Sequence, residues 1–138
     1  MRPPRSALMS LVRLIAAGDT TAALRTIAAK PGLARAAFIQ GASRRDANTY
    51  YLDAIGCYIY AGDRALHIAA AAYRHVVADA LLAAGADVHA RNRRGATPLH
   101  AAAVGMPGSS TWNPSAQTAT IRALIAALRG RGAGVVSG

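Results

Sequence analysis

Glutamate is missing from this chain, and lysine occurs once, as Lys30. The six acidic residues are all aspartates, and they face 16 Lys and Arg, for a formal charge of +10. No carboxylate pair stands out for general acid and base work. Cys57 is the only cysteine, so no disulfide can close within the chain. A reducing, cytoplasmic setting is the simplest one for such a chain. No apolar run is long enough to cross a membrane. One Trp and one Phe supply a large globular core poorly, because much of the 53% hydrophobic content is alanine. A quasi-linear stack suits this composition better, since each layer needs only small interdigitating residues. At 138 residues the length fits one small domain.

Catalytic patterns are missing as well. There is no Gly-rich phosphate loop with Lys, no Gly-x-Ser-x-Gly elbow and no His-Glu-x-x-His. Cys57 pairs with a histidine only on paper. No catalytic residue, metal site, cofactor or small-molecule substrate is therefore expected.

What is present is a repeat. Leu66-His67-Ile68-Ala69-Ala70 returns 33 residues later as Leu99-His100-Ala101-Ala102-Ala103, with Gly62 and Gly95 the same distance ahead. Leu81-Leu82 and Gly85-Ala86-Asp87-Val88 follow the first copy. This period belongs to helical repeat arrays, which bind rather than transform. The segment from Gly62 to Arg94 resembles an ankyrin repeat followed by the start of another. Thr97-Pro98-Leu99-His100 matches the family's Thr-Pro-Leu-His in full. Arg64-Ala65-Leu66-His67 keeps the Leu-His, and Asn92 and Gly95 match the hairpin between repeats. The resemblance implies an all-α fold, a short solenoid of helix-turn-helix repeats with hairpin-like loops between them.

Each piece has a physical reason. Pro98 suits the first turn of a helix, and Thr97 suits its cap. Alanines allow close helix approach and favour the helix. Leu81 and Leu82 are placed to fill a seam. Gly85 suits the left-handed residue after a helix, and Asp87 suits a turn. By the resemblance, His67 and His100 are structural and bond to backbone. Their spacing is that of the repeat and not of metal ligands. His75 and His89 are isolated and expected at the surface.

The rest of the chain departs from the pattern. About 7–33 reads as a capping helix pair. Its first helix opens at Ser6 or Ser10 and runs to Ala17, with Leu8, Leu11, Leu14 and Ile15 on one face. Its second starts at Thr20 or Thr21 and runs through Ala29, with Leu24, Ile27 and Ala28 inward. Arg2 and Arg5 ahead of the first also fit the start of an export signal, although Arg13 interrupts it. Residues 34–61 read as an extended connection, with a short helix from Asn48 or Thr49 to Ile55 and a short strand from Cys57 to Tyr60. This stretch holds four of the five tyrosines, which either pack it onto the stack or meet a partner. Residues 62–94 form the good repeat and 95–135 an interrupted one, with a loop inserted at Gly105 to Thr118. Trp112 in that loop is a plug or an exposed anchor. Gly132-Ala133-Gly134-Val135 faintly echoes the earlier turn, and no polar cap follows. A truncated longer protein, or an end covered by another chain, is the expectation there.

Function follows by resemblance as protein–protein recognition in the cytoplasm. Hairpin tips and first helices point to Arg91, Asn92, Arg93 and Arg94, with Trp112, Tyr58 and Tyr60 as further contacts. Three arginines suit an acidic or phosphorylated partner surface, because guanidinium pairs with carboxylate or phosphate through two hydrogen bonds. Two alternatives stand beside it: charge-driven nucleic-acid binding, which predicts steep salt dependence, and a remnant without independent function. No membrane partner is expected.

Overall fold

The computed structural model describes residues 4–44, 47–104 and 113–137. Within them the apolar spacing becomes helices. Helix α1, Pro4–Ala17, buries Leu8, Leu11, Val12 and Ile15, the three- and four-residue spacing of one helix face. Gly18, at φ +82°, ends it, and the Asp19 carboxylate caps α2, Thr20–Ala29, by accepting the Ala22 N–H at 3.2 Å. The inward row of α2 is Ala23 and Ile27, four residues apart. Leu24 is half-buried and Ala28 exposed, a rotation of the expected face toward α1 and α4.

Helix α3, Ala65–Ala71, is buried along Ala65 to Ala70 because helices lie on both sides of it. Its alanines let those neighbours close in. Tyr73 turns the chain at φ 59° and anchors the turn by donating its hydroxyl to the Val104 carbonyl. Helix α4, His75–Ala83, follows and buries Leu81, while Leu82 is half-buried. Gly85, at φ +101°, and the Asp87 side chain, which accepts the His89 N–H at 2.9 Å, form the expected turn. Thr97 and Pro98 then open α5, Pro98–Ala103, in their expected roles.

Helix α6, Pro114–Ser137, closes the described chain. It begins inside the expected loop, so residues 114–118 are helical, and Asn113 accepts the Ala116 N–H at its first turn. It also runs through 132–135, so the echo of the earlier turn there is not a turn. Loop positions 105–112, Trp112 among them, lie outside the described residues.

The six helices form three pairs. Helices α1, α3 and α5 make one row and α2, α4 and α6 another, with α3 and α4 central. Leu8, Leu11, Ile15, Leu66, Leu81 and Leu124 fill the seams. Each such burial is worth roughly 1.5–3 kcal/mol in transfer terms. Arg74, ahead of α4, ties the first two pairs by donating from Nε to Ile15 O at 3.1 Å and from Nη2 to Ala16 O at 3.3 Å. These carbonyls lie in the last turn of α1, where the Ile15 carbonyl also accepts the Gly18 N–H at 3.1 Å and a cation is favoured by the helix dipole.

The segment expected as an extended connection is a long hairpin. Its base pairs antiparallel: Phe38 N–H donates to Asp63 O at 2.9 Å, Gly62 N–H to Phe38 O at 2.8 Å, and Ala42 N–H to Ile59 O at 2.7 Å. Gly41 lets the arms approach, since a Cβ there would lie 2.4 Å from Ala61 N. Beyond it, β1 (Tyr51–Leu52) pairs with β2 (Cys57–Tyr58), Tyr51 opposite Tyr58. The helix expected to reach Ile55 is only a single 3-10 turn, Asn48–Tyr50. The β-ladder claims Tyr51 and Leu52, and Tyr50 O accepts the Ile59 N–H at 2.7 Å. The strand stops at Tyr58.

Candidate partner-binding face

Two fingers lie side by side at one edge of the stack: the long hairpin, described over residues 37–44 and 47–64, and the short one around 91–96. Their junction is a polar network. Gly62, at φ +84°, brings its Cα so near the second finger that a Cβ would meet Asn92 Cα at 3.0 Å. Arg93 N–H donates to Ala61 O at 2.7 Å. Asn92 uses both ends of its amide: Nδ2 donates to Asp63 Oδ1 at 2.8 Å, and Oδ1 accepts from Arg94 N at 2.9 Å and Ala96 N at 3.1 Å. Asp63 takes a further 2.8 Å bond from Tyr60 N–H. His67 Nδ1 accepts the Arg64 N–H at 3.1 Å, which places the proton on Nε2, and Nε2 donates to Ala96 O at 2.9 Å. The first helix of one repeat is thereby bonded to the next finger.

Burial governs the titration of this network. Desolvation depresses the His67 pKa below its ordinary 6.5, against the opposing pull of Asp63. Desolvation likewise raises Asp63 above 3.8, offset in part by the bonds from Tyr60 and Asn92. Cys57 lies half-buried nearby, and burial followed by the Asp63 charge raises its thiol pKa. That is the opposite of an activated nucleophile. Among the described residues, no three His, Cys or Asp are grouped to hold a metal.

Outside the network the face turns cationic and aromatic. Arg94 is exposed, donates from Nη1 to Tyr60 OH at 3.1 Å and lies 5.0 Å from the Tyr60 ring centroid. Tyr51 and Tyr58 are exposed and their rings meet at 4.7 Å, tilted. Arg91 and Arg93 are exposed on the second finger, Arg91 reaching Gly95 O at 3.3 Å. Between the fingers and the first-row helices lies an open cleft of about 460 Å³. Tyr58, Tyr60, Asn92 and Arg94 line it, together with Cys57, Ile68, Ala71, Ala101 and Val104.

The structure therefore brings four of the expected contact residues, Tyr58, Tyr60, Asn92 and Arg94, into one cleft. Arg91 and Arg93 stand on the adjoining finger and do not line it. Asn92 holds the fingers together, and its amide is committed to that task. Tyr51 is read from the sequence only as one of four tyrosines that pack the connection or meet a partner, and Val104 is not singled out at all. The signal for Tyr51 was its place opposite Tyr58 in an alternation too short to read. Val104, 61% exposed just past α5, has no sequence signal beyond following an alanine run. His75 and His89 are exposed as expected.

Residues 61–93 match the family model described as Ankyrin repeat. No curated protein and no solved structure matches the chain.

Proposed function

Since this chain is an ankyrin-repeat protein, we propose that it is a recognition module that binds an acidic protein surface through its two fingers. Ankyrin repeats generally serve protein–protein interaction and are generally non-enzymatic. The observation that carries the finer reading is the convergence of Tyr58, Tyr60 and Arg94 on one open cleft, with Arg91 and Arg93 exposed beside it. Rigid aromatic area with a polar tip, next to guanidinium, is the chemistry of interface anchors. Among the described residues no helix is long and apolar enough to cross a membrane.

Replacing Arg91, Arg93 and Arg94 together by Ala tests the reading. The expected outcome is a loss of partner binding of tenfold or more and a flatter salt dependence, measured on protein captured from nuclease-treated lysate. Unchanged affinity would remove the fingers from the site. A second reading, single-stranded nucleic acid, is favoured by the Tyr51–Tyr58 ring pair beside the Tyr60–Arg94 contact. It predicts that nuclease treatment abolishes capture altogether.

A further inference from the structure

We infer, resting on the fingers being the recognition face, that the cleft takes a linear acidic peptide, with a bulky apolar side chain seated against Ile68, Ala71, Ala101 and Val104 and a neighbouring carboxylate on Arg94. The volume of about 460 Å³ lies within the roughly 300–1,000 Å³ range of ligand clefts. The floor is aliphatic and comes from α3 and from α5 with the residue after it. A polyanion finds little there, whereas a leucine-sized or aromatic side chain loses its water to it.

The charge around the cleft sets the polarity of what flanks the anchor. Asp63 is the one acid that lines it, and it is 3% exposed with its two oxygens already bonded to Asn92 and Tyr60. Arg94 stands exposed at the rim, oriented by Tyr60, and Arg91 and Arg93 follow on the same finger. A guanidinium held in place loses less freedom when a carboxylate pairs with it. One anchor beside one or more carboxylates is thus complementary to the cleft in shape and in sign. A small acid would fill the floor or reach the rim, but an extended peptide reaches both and continues along the second finger.

A library of random displayed dodecapeptides, selected on the full chain at moderate salt, tests this. Expected is a consensus with a large apolar residue within two positions of Asp or Glu. Binding of the selected peptide as a free molecule should fall at least tenfold on Ala101→Trp, which fills the cleft, and on Arg94→Glu. It should stay within twofold on Arg122→Glu, on the exposed side of α6. Val104→Asp gives a second cleft variant at an exposed position, should Ala101→Trp fail to fold. The peptide should also slow alkylation of Cys57, the chain's one thiol. Acidic peptides that need Arg94 but ignore both cleft variants would overturn the cleft inference and leave the finger reading standing. No enrichment, or peptides indifferent to the arginines as well, would overturn both.

Discussion

His67 and His100 hold equivalent places in the repeat, yet one is 2% exposed and the other lies at the surface. His67 reaches forward to Ala96 O on the next finger. His100 has no following finger among the described residues, and its ring bonds stay local: Nδ1 accepts the Thr97 N–H at 3.0 Å and lies 3.0 Å from Thr97 Oγ1, which caps α5. The motif was legible in the sequence; the difference in burial was not, because it depends on what lies over each copy. His67→Ala should cost about 2–4 kcal/mol, from unpaired Arg64 and Ala96 groups plus a cavity. His100→Ala should cost about 1 kcal/mol or less. Denaturant melts of the two variants check this, and equal losses would deny His67 its bridging role. His67 also sets an acid limit. Its folded pKa is depressed, so the unfolded chain binds more protons just below 6.5. Its stabilisation is whole above 6.5 and is lost as the pH falls through the folded value. Asp63 acts with the opposite sign, since its raised pKa makes stability fall as the pH climbs above 3.8. His67→Gln, which keeps a donor and an acceptor, should lose less stability than the parent chain between pH 7.5 and 5.5. An equal loss would assign the titration to another group.

At the scale of the element, what the sequence shows well is what local chemistry decides. The Asp19 cap, the Thr97-Pro98 start and the Gly85 turn each need only neighbours along the chain. The long hairpin was illegible because its pairs join Phe38 to Asp63 and Ala42 to Ile59, across an intervening stretch with no sustained alternation. Tyr58 and Tyr60 are legible in the sequence as candidate contacts, but only the hairpin shows that Tyr60 meets Arg94 on the second finger. The closeness of the two fingers rests on Gly62, whose left-handed backbone costs a residue with a Cβ roughly 1–2 kcal/mol. Gly62→Ala should therefore destabilise by about 1–3 kcal/mol, the Cβ contact with Asn92 adding to that term. It should also weaken peptide binding by displacing Arg94. Gly32→Ala is the control: a Cβ there meets nothing within 4 Å and the backbone is not left-handed, so stability should hold or rise slightly. Thermal melts and a binding titration on both variants decide it. A Gly62→Ala variant as stable as the parent would mean that the fingers close without that turn.

For the whole molecule, the composition that argued for a thin stack also fixes its electrostatics. Three helix pairs bury alanine and leucine in layers and leave most of the described arginines exposed. Among the described residues the single close acid–base contact is Asp63 with His67 at 4.0 Å, and burial keeps that histidine neutral. The surplus of +10 is thus poorly compensated within the chain, and its self-repulsion opposes the compact state. Salt should relieve this, because screening lengths fall from about 10 Å at 0.1 M to about 3 Å at 1 M. The melting temperature is therefore expected to rise between 0.05 and 0.5 M NaCl. Binding of an acidic peptide should weaken over the same range, since there the screened term is attraction. The opposed signs separate the two roles of the arginines: a cost to the free chain, and a source of attraction once an acidic partner neutralises them. Calorimetric scans paired with peptide titrations at both salt concentrations measure this directly. A melting temperature that falls with salt would mean that the surface arginines are, on balance, already paired, and would leave less charge for any partner to satisfy.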